Sequence, residues 1–313
     1  MYNQVLHDHL DGGLRPSTAK ELAKRIDYKP INEIDDVAIF FDRSSSNSLE
    51  DYLEAFTHTI ALMQTYSNLE QIAYEAAVDM HQNNIKYYES RYAPFYSVNA
   101  GLSPKDVLRA INSGFKQAEN EFGIVSGLIL CGMRHDPENV KAVAELAIEY
   151  KELIIGFDIA GPELNYLPSM YKDSFLKVKN EGINITIHAG EGDGVHSIQE
   201  ALDNGAKRIG HGVRIIEDIT DDNKLGPTAD FVLQNNIPLE VCITSNLHTN
   251  MYKSPQDHPI SRLHNLEFNI SLNTDNRLMS NTSINKELKV AKEAGVKNPT
   301  SLLEYSASDS FFN

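Results

Sequence analysis

From Ile183 to His188 apolar and polar residues alternate strictly, with Ile183, Ile185 and Ile187 on one face and Asn184, Thr186 and His188 on the other. A period of two predicts a strand with one greasy and one polar face. Similar alternation, or a short apolar run between turn residues, predicts strands over 5–10, 85–93, 124–133, 153–159, 206–211, 237–244 and 268–274. Between these segments the apolar spacing lengthens to three and four residues, as in 137–150, where Val140, Val143, Leu146 and Ala147 share one side. Helices are predicted likewise over 68–81, 171–180, 197–204, 228–235 and 283–294, and after Ser103-Pro104, a cap followed by proline in the first turn. Nearer the N-terminus, Thr18-Ala-Lys-Glu21 reads as a capping box ahead of Leu22 and Ile26. Ser48 caps an amphipathic helix carrying Tyr52, Leu53, Phe56, Ile60 and Met63.

Eight strands alternating with helices predict an α/β chain folded as a single (β/α)8 TIM-type barrel with extra helices near the N-terminus, one catalytic domain over residues 1–313. A doubly wound open sheet is the competitor. No Gly-x-Gly-x-x-Gly follows the first strand, and polar residues stand at nearly every strand end: His7 and His9, Arg91, Arg134, Asp158, His188, His211, Ser245 and Asp275. That distribution suits the face on which barrels build their sites. In the last strand Asn269, Ser271, Asn273 and Asp275 share the polar parity, so Asp275 projects inward as His188 does.

Composition narrows the class of partner. With 41% hydrophobic residues the chain can bury a large core, and no linker divides it. The net charge of -16 is spread along the chain and repels phosphate backbones and anionic lipid, so neither nucleic acid nor membrane is an expected partner. Cys131 and Cys242 are the only cysteines, which argues against a disulfide framework and a cysteine-based zinc site and for a reducing compartment. No leader or membrane-length apolar run is evident, and a cytoplasmic location is expected. The oligomeric state is not set by any of these features.

The strand-end residues include the makings of a metal site. His7 and His9, two apart, share a face, and with His188 and Asp275 they offer three imidazoles and one carboxylate to one ion. That set suits Zn²⁺ with a position left open for water, whose pKa the ion lowers to about 7. Such a nucleophile needs two helpers. His211, at the next strand's end, is placed to take or hold the water's proton. Glu191, close to His188, is placed to protonate the electrophile if a dry pocket raises its pKa. Asp275 serves twice, as ligand and as partner of the water. The remaining histidines, His58, His81, His135, His196, His248, His258 and His264, read as surface or core residues.

In order along the chain stand Leu6-His-Asp-His-Leu-Asp-Gly12, Ser48-Leu-Glu-Asp-Tyr-Leu53, Tyr88-Glu-Ser-Arg-Tyr-Ala-Pro94, Gly156-Phe-Asp-Ile-Ala-Gly161, His188-Ala-Gly-Glu191, Gly210-His-Gly212, Cys242-Ile-Thr-Ser-Asn-Leu247 and Asn273-Thr-Asp-Asn276. Together they resemble the adenosine deaminase family of the metal-dependent amidohydrolase barrels, over almost the whole chain. The resemblance implies a purine-salvage hydrolase that removes the 6-amino group of adenosine or 2'-deoxyadenosine, a small-molecule purine nucleoside, and releases ammonia. It implies one zinc per chain held by His7, His9, His188 and Asp275. Glu191 would donate to purine N1, and His211 would steady the attacking hydroxide. Asp11 would hold the ribose 5'-hydroxyl, the Gly161 amide would meet N3, and His9 would lie beside the substrate. The helix over 49–63, with Tyr52 and Phe56, looks like the family's flap, or is ordinary core packing.

One departure stands out. Where many relatives place a second aspartate facing N7, this chain has Asn276, whose amide can donate directly. Rival readings are another aminopurine deaminase, acting on adenine, a 6-modified nucleotide or a futalosine-type nucleoside, and a non-catalytic nucleoside binder. Asp11 disfavours a 5'-phosphate, and a mere binder has no need of Glu191 or His211. The His-x-Glu and Pro-Cys-x-x-Cys spacings of zinc base deaminases are absent.

Overall fold

A computed structural model of the protein describes residues 3–304 and 306–312. Eight strands, β1 (Asn3–Val5), β2 (Ile85–Tyr92), β3 (Val125–Met133), β4 (Gly156–Ala160), β5 (Asn184–Ala189), β6 (Arg208–His211), β7 (Leu239–Val241) and β8 (Ile270–Leu272), pair in parallel in chain order. Helices cover the intervals between them, giving a nearly closed (β/α)8 barrel. The seam between β8 and β1 is closed largely by one side chain. Oδ1 of Asn273 accepts from the amides of Leu6 (2.8 Å) and His7 (3.1 Å), and just beyond, the His9 amide donates to the Asp275 carbonyl (2.7 Å).

Strand parity sorts the side chains as expected. Ile185 and Ile187 join the buried apolar cluster, and Gly132 lets the helix Pro137–Glu149 settle on β3, where a methyl group would stand 3.0 Å from Cα of Val140. The inward face carries buried charge. Arg91 lies between Asp158 and Glu240, at 2.8 Å from each, and Arg208 lies 2.6 Å from both Glu240 and Glu89. Residues 306–312 complete this group: the Phe311 ring stacks 3.5 Å from the Arg208 guanidinium, and Glu89 accepts from Ser310 Oγ and the Phe311 amide. Buried ions of this kind hold because each has a partner; loss of one strands the other.

Several expected elements change shape. The strand over 5–10 shrinks to Asn3–Val5, since Asp8 turns its carboxylate into a buried pocket formed by Tyr88, Thr274 and Arg277. His7 and His9 therefore lie beyond the ladder, in isolated bridges and backbone bonds to the ends of β2 and β8. The strand over 237–244 ends at Val241, and Ile243–His248 is helical. Thr18 is not a cap: Pro16 starts the helix Pro16–Arg25, and the Thr18 hydroxyl bonds Glu75. The helix over 49–63 is two, Leu49–Leu53 and Phe56–Leu62, the first capped by Ser48 as expected. Short helices at Lys29–Asn32 and Val37–Phe41 carried no clear period. No helix among the described residues is long and apolar enough to cross a membrane.

Candidate active site

The strand ends bring His7, His9, His188, His211 and Asp275 together at one end of the barrel. Nδ1 of His7 lies 2.8 Å from Oε2 of Glu240, and Nδ1 of His188 lies 2.9 Å from Oδ2 of Asp158. Glu240 draws the Nδ1 proton of His7, which leaves Nε2 of that ring with its lone pair for the centre, whereas Nδ1 of His188 lies near Asp158 without a hydrogen bond. Nε2 of His9 is 3.1 Å from Nε2 of His188, and Oδ1 of Asp275 is 3.4 Å from His9 and 3.6 Å from His7. Coordinating atoms of His7, His188, His211 and Asp275 all lie within 4.8 Å of one another. The four residues expected to bind an ion thus converge, with His211 as a fifth neighbour.

The electrostatics favour a cation. Burial holds His9 and His188 well below the usual imidazole range, so both rings favour the neutral form. His7 is raised: burial and Arg91 oppose its proton, and Asp275 and Glu240 outweigh them. Asp275 is held well below the usual carboxylate range, because His7, His9 and His211 overcome its burial. The neutral His9 and His188 rings and one ionised carboxylate, with His7 joining them once it gives up its proton, form a buried convergent donor set that fits a divalent metal. His211 and Asp275 also sit on left-handed backbone, at φ 59 and 55, which costs about 1–2 kcal/mol per residue and occurs at the two strand ends that aim side chains into the site.

Glu191 enters from the loop after β5. Its carboxyl is 3.6 Å from Nε2 of His211, and burial, then Asp275 and Glu163, raise its proton affinity well above the usual range, which favours the acid form. The loop is held by Glu163, buried two residues after Gly161. Oε1 of Glu163 accepts from the Gly190 amide (2.8 Å), and Oε2 accepts from Glu191 (2.9 Å), Gly192 (2.6 Å) and Asp193 (3.1 Å). Four amides on one carboxylate form a nest that fixes the backbone beneath the acid.

A cavity of about 680 Å³ opens over these groups, a size usual for a small-molecule site. Asp11 and Asn276 line it, each with Oδ1 buried and unpaired. Burial lifts Asp11 to about 7. The Gly161 backbone reaches the cavity at φ 96, and Asn276 packs its Oδ1 against Gly12 so closely that a Cβ there would stand 2.0 Å away. Leu49, Tyr52, Leu53, Phe56 and Ile60 roof it, so the segment expected as a flap covers the site, with Tyr52 tied to Ser280 at 2.7 Å.

Arg91 and Asp158 lie beneath the cluster rather than in the cavity, and Arg134 donates to the His188 carbonyl (2.5 Å). Ser245 is buried on the helix after β7, its hydroxyl unpaired. His135, read from sequence as a surface or core residue, lines the cavity. The sequence reading passed over Glu163, Glu240 and Asn246. A lone carboxylate inside the apolar run Pro238-Leu-Glu-Val-Cys242 was the available signal for Glu240, and the motif Cys242-Ile-Thr-Ser-Asn-Leu247 was that for Asn246; Glu163 had none, since the loop it holds is distant in sequence.

A family model described as adenosine deaminase matches residues 3–301. Adenosine deaminase 1 of Streptomyces coelicolor is 44% identical over 304 residues, covering 93% of this chain and 76% of its own. Among solved structures, an N6-methyl-AMP deaminase from Arabidopsis thaliana shares 26% identity with a TM-score of 0.79, over 97% of this chain and 90% of its own. An adenine deaminase from Arthrobacter aurescens shares the fold at 21% identity, with a TM-score of 0.85 over 96% of this chain and 91% of its own.

Proposed function

We propose, from the premise that the chain belongs to the adenosine deaminase family, that it hydrolyses adenosine and 2'-deoxyadenosine to the corresponding inosine nucleosides and ammonia, as one catalytic unit. The observation that carries this reading is the buried Glu191 carboxyl, 3.6 Å from Nε2 of His211, beside a convergent His-Asp cluster at the floor of the cavity.

His7, His9, His188 and Asp275 are the proposed ligands of one Zn²⁺, a metal that favours nitrogen and oxygen donors in this number. When bound, the ion acts as a Lewis acid that makes water nucleophilic at neutral pH. The chain's own residues do the rest. Asn276 donates its amide to N7, the Gly161 amide donates to N3, and the unpaired Oδ1 of Asp11 accepts the 5'-hydroxyl. Glu191 passes its proton to N1, which draws electrons from C6 and opens it to water. His211 and Asp275 hold the incoming water against C6. Asp275 takes one proton of the water and passes it to N6, the C6–N6 bond breaks and ammonia departs, the N1 proton and the oxygen stay on the purine, and the hydroxyl's remaining proton restores Glu191. The Tyr52 and Phe56 roof excludes bulk water, which keeps Glu191 protonated.

The lining explains the choice among aminopurines. Adenine alone brings no hydroxyl to the unpaired Asp11, and the phosphate of a nucleotide would meet Asp11 with no lysine or arginine among the cavity's residues. The acidic chain is an unsuitable partner for nucleic acid or anionic membrane. Cys131 and Cys242 are buried free thiols, the state a reducing compartment maintains, and the cytoplasm is the proposed location.

Glu191→Gln tests the central assignment, because it removes the transferable proton and little else. Metal content and nucleoside binding should persist while kcat falls at least about 100-fold. A variant with full turnover contradicts the role.

A further inference from the structure

His211 is tied to the backbone at Ile260 by a chain of polar contacts that leaves no freedom of direction. The chain starts at the amide of Ile260, which can only donate, and which lies 3.2 Å from Nδ1 of His258. That nitrogen must therefore carry a lone pair. His258 is buried, and burial lowers its proton affinity to about 3, so the ring is neutral and its one proton sits on Nε2. Nε2 of His258 is 3.2 Å from Oδ1 of Asn246, which accepts. The Asn246 amide then points its Nδ2 protons at Nδ1 of His211 (3.1 Å) and Sδ of Met251 (3.5 Å), both acceptors. Nδ1 of His211 thus holds a lone pair, and its proton must be on Nε2, the nitrogen that faces Glu191.

We propose that His258 and Asn246 are positioning residues that lock His211 as the Nε2–H tautomer, so that this imidazole meets the attacking water as a hydrogen-bond donor and not as a base. The inference rests on the deaminase reading for what His211 meets. The direction of the chain rests on the Ile260 amide alone. For Nε2 of His211 to offer a lone pair, Nδ1 would have to carry the proton against the NH2 group of Asn246. Turning Asn246 over would set its NH2 against the Nε2–H of His258, and moving that proton would set an N–H against the amide of Ile260. Each reversal hands the conflict to the next link, and the backbone cannot yield. The water's proton therefore goes to the ionised Asp275 carboxylate, and His211 works by holding the oxygen. This narrows the earlier expectation that His211 takes or holds that proton.

The test reads the tautomer directly. Metal-loaded protein labelled with ¹⁵N-histidine is examined by two-bond ¹H–¹⁵N correlation, with His211 and His258 assigned by loss of their signals in His211→Gln and His258→Gln. We expect both rings with the proton on Nε2 in the wild type near neutral pH. Asn246→Asp offers only acceptors to both histidines, and should turn His211 to the Nδ1–H form, with kcat down about 100-fold and KM within about twofold. His258→Leu, which frees Asn246 to turn over, should give mixed tautomers at His211 and a smaller loss of kcat. His258→Gln, which still offers a donor to Asn246, should restore both. A proton on Nδ1 of His211 in the wild type overturns the proposal. So does an Asn246→Asp enzyme whose tautomer turns while kcat stays at the wild-type value. The wild-type spectrum needs no substrate, so failure here is distinguishable from failure to deaminate adenosine.

Discussion

Replacing Glu163 by glutamine should disable the enzyme without touching substrate or metal ligands. The wild-type carboxylate accepts four backbone amides, one on Oε1 and three on Oε2. If the glutamine oxygen takes the Oε2 place, three of these bonds survive without their charge, at a loss of about 1 kcal/mol each. The Gly190 amide then faces an NH2 group, and a buried donor left unpaired adds about 1–3 kcal/mol. The total, about 4–6 kcal/mol, exceeds what a tight loop can absorb in place, so residues 190–193 should shift. Glu191 rides on that loop, and a displacement of about 1 Å at a reacting group costs about 100-fold in rate. The expected result is a kcat on adenosine about 100-fold lower and a thermal midpoint several degrees lower, with bound metal unchanged because His188 is held separately by Asp158. Steady-state kinetics, calorimetry and metal analysis on one preparation read all three. Wild-type kcat and thermal midpoint in Glu163→Gln would refute the claim that this carboxylate holds the loop.

Three further outcomes follow from the geometry. His188→Ala should abolish tight metal binding by equilibrium dialysis, whereas His196→Ala, at an exposed ring 3.4 Å from Asp193, should leave it intact; equal metal content in both would remove His188 from the ligand set. His258 is buried neutral, lowered to about 3 from 6.5, so below 6.5 the unfolded chain binds a proton that the folded chain refuses. The stability this ring contributes is present above 6.5 and lost as pH falls, by about 2 kcal/mol at pH 5, and denaturant titrations of His258→Gln should show a pH dependence shallower by that amount, parallel curves being the contrary result. Gly12→Ala would drive a methyl group into Asn276, and the KM for adenosine should rise about 10-fold for the loss of one hydrogen bond with metal content unchanged; an unaltered KM would free Asn276 from a substrate role.

Strand periodicity made the barrel legible, because Ile185, Ile187 and the polar parity of β5 and β8 translate directly into outward and inward faces. The same parity placed His188, whereas Asp275 lies beyond β8 on left-handed backbone that no alternation predicts. What the sequence did not show is set by contacts far apart along the chain. β1 is short because Asp8 is drawn to Tyr88, Thr274 and Arg277, and no local pattern records that. Residues 242–244 read as the end of a strand although Ile243 begins a helix, since a short apolar run does not distinguish a buried strand from the first turn of a helix. Metal ligands announce themselves by residue type, but the groups that orient them do not. Glu240 behind His7, Glu163 beneath Glu191, and Asn246 behind His211 are ordinary polar residues until the fold assembles their partners.

The most direct measurement is the ultraviolet spectrum of adenosine on addition of metal-stripped protein and of the same protein restored with zinc, with deoxyadenosine, adenine and AMP in parallel. The account predicts conversion of the adenosine spectrum to that of inosine only after zinc is restored, equivalent behaviour with deoxyadenosine, and negligible change with adenine and AMP. Turnover of AMP or adenine in preference to adenosine, or no turnover of any of the four with zinc bound, would contradict it.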